Sequence, residues 1–324
     1  MGYMEFVKLG TTGLRVSRIG LGTAVLGLKN YGIPTPCEAC LDSAEAIDAI
    51  RGAVDGGINF FDTAPGYGRG EQLLGQALSV CKDAVIATKV SVPENYETLT
   101  FPELSGIVNA SLDSSLRALR RDVLDIVQVH NATIPVLRQG NLLGCLERAG
   151  EAGKLRWIGA SVYGLDAALM AVRTGKIHVL QIALSLLDQR MCGQVLPEAE
   201  TAGIGVLTRS ALLKGALTKR AHWLPERLQL LARASELAIQ ELGTTWEGLP
   251  GMALRFCLSL PAAHTVLVGV CDRTELRSCL AAESAGPLSP LELKTAHTLA
   301  LDDELLLNPT YWHLEESDSG QVRP

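Results

Sequence analysis

The sequence predicts an α/β fold of the TIM-barrel type, a closed (β/α)8 barrel with two additional helices and a disordered C-terminal tail. Three observations predict it. Eight short β-branched runs alternate with helical patterns along the 324 residues. The alternation spreads over roughly 250 residues, the usual size of such a barrel, where a doubly wound sheet fits less well. No stretch rich in Pro, Gly or Ser divides the chain, so residues 1–314 read as one domain and 315–324 as a flexible tail.

The candidate strands lie at residues 18–23, 58–62, 84–89, 124–130, 155–161, 178–182, 204–207 and 265–269. Between the first two, residues 43–56 place Ala44, Ile47, Ile50, Ala53 and Val54 on one helical face. Ser43 reads as its N-cap and Gly56-Gly57 as its stop. Residues 102–121 carry Leu104, Val108, Leu112, Leu116 and Leu119, spaced by the threes and fours of an amphipathic helix. Residues 138–153 and 165–175 repeat the scheme, each closed by glycine, and residues 245–260 precede the last strand. Two helical stretches, 221–243 and 289–307, exceed the eight-unit count and read as additions to the outside or rim. The polar, charged segment from Glu315 to Gln321 reads as disordered.

Composition excludes several classes. The chain is 47% hydrophobic and 20% charged, within the soluble globular range. No apolar run approaches the length of a spanning helix. A net charge of −6 gives no reason to expect nucleic acid or an anionic membrane as partner. The first residues lack a basic start before an apolar core, so a cytoplasmic chain is expected. Of eight cysteines only Cys37 and Cys40 form a CxxC, in a Pro-containing loop without a second pair. Reduced thiols and no metal site follow.

No G-x-G-x-x-G follows a strand, since Val25 and Glu71 stand where third glycines are needed. The barrel reading is sharper. Polar residues at the carboxyl ends of barrel strands face the mouth where such folds carry their chemistry. Four consecutive apolar strands end in Asp62, Lys89, His130 and Ser161, and Tyr67 lies between two glycines just past Asp62. Alone, a strand-end Asp often caps a helix and a turn Tyr often lies on the surface. Their joint occurrence points to proton transfer. An ammonium beside a phenol lowers its pKa, a carboxylate holds the ammonium, and an imidazole hydrogen-bonds a carbonyl oxygen. The set suits reduction of a carbonyl or oxidation of an alcohol.

With these residues in place, the sequence resembles the aldo-keto reductases, most nearly their sugar-dehydrogenase-like members, from about Val7 to Ala282. The resemblance rests on Phe60-Phe61-Asp62-Thr63-Ala64-Pro65-Gly66-Tyr67-Gly68, Ala87-Thr88-Lys89-Val90, Val127-Gln128-Val129-His130 and Gly153-Lys154-Leu155-Arg156-Trp157-Ile158-Gly159. It implies Tyr67 as general acid or base, Lys89 and Asp62 behind it, and His130 orienting the substrate carbonyl. It also implies NAD(P)(H), bound extended across the mouth, with NADP(H) favoured and NAD(H) compatible. Gly22, Thr23 and Asp62 would then lie against the cofactor, and Ser161 and Gln181 at the carboxamide. Arg209, Ser210, Leu212, Lys214 and Gly215 would wrap the pyrophosphate side, and Gly269, Arg273, Glu275 and Cys279 the adenosine end.

Three departures from the family pattern stand out. Ser161 is followed by Val162 rather than Asn, Arg209 replaces the aromatic that stacks on the nicotinamide, and Cys271 replaces a phosphate donor. That leaves Arg273 and Arg277 as candidate partners of a 2′-phosphate. Tyr31, Tyr96, Tyr311 and Trp312 lie in stretches that would meet a small carbonyl or alcohol substrate. A cofactor-binding regulatory subunit is the alternative reading, and the intact four-residue site argues for turnover.

Overall fold

In the computed structural model the protein is described over residues 4–29, 31–34 and 42–314. The CxxC of Cys37 and Cys40 and the tail from Glu315 lie outside the described residues.

The chain opens with a small antiparallel hairpin, β1 (Phe6–Lys8) and β2 (Arg15–Ser17), with Val7 opposite Val16. Eight strands follow: β3 (Ile19–Gly22), β4 (Phe60–Asp62), β5 (Val85–Ser91), β6 (Leu124–His130), β7 (Leu155–Ser161), β8 (Val179–Ala183), β9 (Gly205–Arg209) and β10 (Thr265–Val268). They pair in chain order, all parallel, and β10 returns to β3 to close the barrel. A helix follows each strand and covers the outer face, so a continuous apolar layer separates helices from barrel.

The barrel interior is a second, smaller core of Phe60, Val85, Ala87, Ile126, Val179, Leu207 and Leu267. Leu9 and Val16 from the hairpin complete it from below. The sequence pattern missed this hairpin because two three-residue strands carry no measurable period. Gly205 makes the plug possible: a Cβ there would lie 2.5 Å from the Leu9 side chain.

Elsewhere the structure refines the expected elements. The first helix, Ser43–Asp55, is capped by Asp42 and not Ser43. The Asp42 carboxylate accepts from the Glu45 N–H at 2.8 Å, and the Glu45 carboxylate accepts from the Asp42 N–H at 2.9 Å. The helix expected over 138–153 breaks at Gly140, whose φ of +72° ends Ile134–Gln139 and starts Asn141–Glu151 in a new direction. The first additional stretch is the helix Gln229–Glu241 preceded by short 3-10 turns. The second splits into Pro290–His297 and Glu304–Leu307, each with its own cap, Ser289 and Asp303.

Candidate active site

Asp62 ends β4 and Lys89 stands on β5, both almost fully buried. The Lys89 Nζ donates to Asp62 Oδ2 at 2.6 Å and to the Thr63 carbonyl at 2.9 Å. Burial lowers the Lys89 pKa, and Asp62 opposes that shift. The other carboxylate oxygen is also occupied. Asp62 Oδ1 accepts from Gln181 Nε2 at 2.7 Å and from Gln128 Nε2 at 3.1 Å, and Gln181 Oε1 in turn accepts from Ser161 Oγ at 3.0 Å. Ser161 and Gln181, expected at a carboxamide, are thus turned toward each other and toward Asp62.

Gln128 is a site residue that the sequence reading missed. It pairs with Lys89 across β5 and β6 and with Gly159 across β6 and β7. A Cβ on Gly159 would stand 2.9 Å from Gln128 Cγ, so that glycine clears the path to Asp62. The available signal was positional: Gln128 lies two residues before His130 and therefore on the same face of β6.

Tyr67 sits on the loop after β4, half-buried. Its N–H donates to the Ala64 carbonyl at 3.0 Å, and its own carbonyl accepts from Gly70 at 2.9 Å. The loop rests directly on the backbone of the short helix Ala24–Gly27. A Cβ on Gly27 would overlap the Tyr67 carbonyl oxygen, and a Cβ on Gly68, whose φ is +56°, would overlap the Gly27 carbonyl. The two glycines flanking this contact set the height of the phenol above the barrel.

The Lys89 ammonium lies 4.7 Å from the centroid of the Tyr67 ring, and the His130 ring meets Tyr67 edge-on at 5.7 Å. The four predicted residues therefore converge. Burial pushes the Tyr67 phenol above its ordinary value, Asp62 adds to the shift, and Arg209 opposes it. The Lys89 ammonium beside the ring is itself held by Asp62 and the Thr63 carbonyl. His130 is held down to about 4, first by burial and then by the neighbouring Lys89 charge. Near neutral pH the phenol keeps its proton and the imidazole is uncharged.

Arg209 ends β9, its guanidinium 3.8 Å from the ring centroid of Tyr163 and donating to the Val162 carbonyl at 2.9 Å. Tyr163 is the second residue missed from the sequence. Beyond it, Ser210, Leu213, Lys214 and Gly215 all have positive φ, and the Lys214 ammonium lies 5.2 Å from the Tyr31 ring centroid. Thr23 is buried, its N–H donating to the Asp62 carbonyl at 2.9 Å, and Gly22 pairs with Asp62 across β3 and β4.

The far end of the mouth departs from expectation. Arg273 forms a two-pronged pair with Asp48 at 2.6 and 2.7 Å, which occupies the guanidinium proposed for a phosphate. Cys279 is buried in the outer core, its thiol pushed up to about 12, and is not a surface group. Glu275 accepts from the Cys271 N–H at 2.7 Å, and Gly269 follows β10 with Val25 close above it. Trp312 is fully buried and donates to the Leu306 carbonyl at 2.9 Å, and Tyr96 is also buried, so both pack loops and do not line a pocket. Among the described residues no cluster of His, Cys, Asp or Glu is arranged to hold a metal, and no helix is long and apolar enough to cross a membrane.

An eight-stranded barrel with a Tyr, a His and a Lys–Asp pair at the carboxyl ends of its strands has the constellation of a carbonyl-reducing enzyme. The family model for the aldo/keto reductase family matches residues 18–300, and the chain belongs to that family. It is an NAD(P)H-dependent oxidoreductase. It is 31% identical to aldo-keto reductase YhdN of Bacillus subtilis over 99% of this chain and 97% of that protein. It is 28% identical to L-galactose dehydrogenase of Arabidopsis thaliana over 87% of this chain and 89% of that protein. Among solved structures, the holo form of aldo-keto reductase AKR11C1 from Bacillus halodurans superposes with a TM-score of 0.76 at 25% identity, covering 92% of this chain and 97% of that one.

The contact under Tyr67 yields a test. In Gly27→Ala the added methyl must lift the Tyr67 loop, because its obstacle is backbone and cannot rotate away. A displacement near 1 Å at a reacting group costs on the order of 10²-fold in rate. Steady-state assays should show that loss in kcat; an unchanged kcat would mean that the loop height is not set by this contact.

Proposed function

We propose that the protein reduces an aldehyde, ketone or aldose to the alcohol with NAD(P)H, Tyr67 serving as proton donor. The observation that carries this reading is the convergence of the Tyr67 phenol and the His130 imidazole over the buried Lys89–Asp62 pair. Reduction of a carbonyl needs a hydride at carbon and a proton at oxygen, and NAD(P)H when bound supplies the hydride. Of the two groups beside the ring contact, only the Tyr67 hydroxyl holds a transferable proton at neutral pH, since His130 titrates at about 4. Neutral His130 presents an N–H that stabilises charge growing on the oxygen. The Lys89–Asp62 pair lies beneath the phenol, and its ammonium stabilises the phenolate left when the proton is transferred to the carbonyl oxygen.

The donor set of the mouth fits a dinucleotide. Ser210, Leu213, Lys214 and Gly215 take left-handed φ and turn the backbone into a concave shape suited to phosphate oxygens, with the Lys214 ammonium in the same stretch. At the adenosine end Arg273 is engaged by Asp48, and the helix Arg273–Ser284 begins with the carboxylates of Asp272 and Glu275. Arg277, exposed on the same helix and bonded to the Thr274 hydroxyl at 3.4 Å, is the other candidate cation for a 2′-phosphate, so both cofactors are accepted with modest selectivity. An Escherichia coli relative, 31% identical over 66% of this chain, is named an NADH-specific methylglyoxal reductase, which agrees with use of NADH. The name of the Arabidopsis relative points to sugar substrates within the carbonyl class.

Three outcomes test the reading. Tyr67→Phe should lose 10²-fold or more in kcat, the usual scale of general acid catalysis, with cofactor affinity unchanged. A near-normal kcat on a panel of aldehydes, ketones and aldoses would remove Tyr67 as the acid.

The pH dependence follows from His130. Between its ordinary value of 6.5 and about 4, the unfolded chain binds a proton that the folded site refuses, so stability falls as pH drops through that window. Over the range from about pH 5 to 9 the reductive kcat/KM should stay flat. An acid limb centred near 6.5 would show an imidazole that titrates freely. Finally, titrating NADH and NADPH against tryptophan fluorescence should separate them by less than about 10³-fold in Kd, or roughly 4 kcal/mol. A larger preference for NADPH would reveal a complete phosphate site elsewhere in the mouth.

A further inference from the structure

Gln128 is fully buried, and only one end of its amide is engaged. Nε2 donates to Asp62 Oδ1 at 3.1 Å, whereas Oε1 has no hydrogen-bond partner among the described residues. Gln181, the other amide on Asp62, is paired at both ends, since its Oε1 accepts from Ser161 Oγ at 3.0 Å. Leaving a buried carbonyl oxygen unpaired costs free energy that an apolar side chain of the same shape would not. The barrel makes a second concession beside it. Gly159, the neighbour of Gln128 across β6 and β7, has no side chain, and a Cβ there would stand 2.9 Å from Gln128 Cγ. Turning the amide over would bring Oε1 against a carboxylate oxygen. What the site gains from this amide is therefore its donor.

That donor falls on the acceptor of the buried pair. Asp62 Oδ2 accepts from Lys89 Nζ at 2.6 Å, and Oδ1 accepts from both amides. Donors on one oxygen favour the charged carboxylate and leave the other oxygen turned to the ammonium. With fewer of them, a desolvated ion pair gains by passing its proton from nitrogen to oxygen, which erases both charges. Burial, which lowers the Lys89 pKa, pushes the same way. Lys89 faces Gln128 across β5 and β6, and His130 lies two residues further along the same face of β6. Glu71 and Arg209 add their charges at Lys89, and on the β7 side Gly159 brings no charged group to the amide.

We propose that Gln128 is a positioning residue that holds Asp62 as a charged acceptor turned toward Lys89, and so keeps the proton of the pair on the ammonium beneath Tyr67. Its bearing on turnover rests on the functional reading above, in which that ammonium stabilises the phenolate left when Tyr67 gives up its proton. A hydrogen bond to a charged group is worth a factor of roughly ten to a hundred. Acting only through Asp62 and Lys89, Gln128 bears on kcat and leaves cofactor affinity alone.

The experiment compares the full chain with its Gln128→Met and Gln128→Glu variants. Steady-state reduction of a panel of aldehydes, ketones and aldoses is followed from about pH 5 to 9, with Kd for NADH and NADPH and Tm measured alongside. Gln128→Met has no donor and should lose roughly ten- to hundredfold in kcat at every pH, with both Kd values unchanged. In Gln128→Glu the new buried carboxyl is protonated at low pH, and its O–H replaces the lost amide donor. There kcat should stand near the original at the acid end and fall to the level of Gln128→Met as the pH rises and the carboxyl ionises. A merely structural displacement of β6 would lower Gln128→Glu equally at all pH values. That flat loss overturns the proposal, as does an unchanged kcat in Gln128→Met. If the unmodified protein reduces no member of the panel with either cofactor, the functional reading itself fails and the proposal falls with it.

Discussion

The ion pair of Lys89 with Asp62 is the constraint around which the barrel mouth is built. Both groups are removed from water, and desolvating two charges costs several kcal/mol apiece unless their remaining hydrogen-bonding capacity is satisfied. The surroundings meet that demand: Thr63 offers a carbonyl to the ammonium, and two amides, Gln128 and Gln181, close on the second carboxylate oxygen. Ser161 then orients Gln181. Gly159 is part of the same arrangement, because a side chain there would push Gln128 off its target. Strands β4 through β8 each contribute a group to one hydrogen-bonded unit, and the register of a closed barrel is what brings them to one level.

That unit decides what the neighbouring groups do. With its charge engaged by Asp62, Lys89 does not dominate the phenol, and burial leaves Tyr67 protonated. The same ammonium, together with burial, keeps His130 uncharged. In the proposed function the protonated phenol gives up its proton and the neutral imidazole only polarises the carbonyl. The division of roles is therefore electrostatic in origin. The geometry that exploits it comes from backbone contact, since Gly27 and Gly68 let the Tyr67 loop lie flat on the first turn after β3.

The legibility of these features in the sequence follows their physics. Asp62, Lys89 and His130 were legible because a charged or polar group closing an apolar strand is a strong signal in a barrel. The strands β6 and β7 match their expected bounds for the same reason, each being a seven-residue run with clear edges. Gln128 was not legible, because a polar residue inside a strand resembles any other until the register sets it beside Lys89. Tyr163 lies past the end of its strand, where no periodicity operates. Arg273 looked free because its partner Asp48 is 225 residues away, on another helix.

Charge is distributed unevenly around the mouth, and this unevenness separates binding from chemistry. The β4–β6 side sets two buried carboxylates, Asp62 and Glu71, against the one ammonium of Lys89. On the β7–β9 side Arg209 lies against Tyr163 with no carboxylate partner among the described residues, and Ser210, Leu213, Lys214 and Gly215, all of positive φ, follow it. The adenosine end is closed by Asp48 on Arg273 and by carboxylates at the start of the last barrel helix. A long polyanionic ligand laid across this surface meets positive charge in its middle and little at its far end. Under the proposed function, this middle stretch holds the diphosphate of the nicotinamide cofactor, and the buried groups under Tyr67 face the carbonyl.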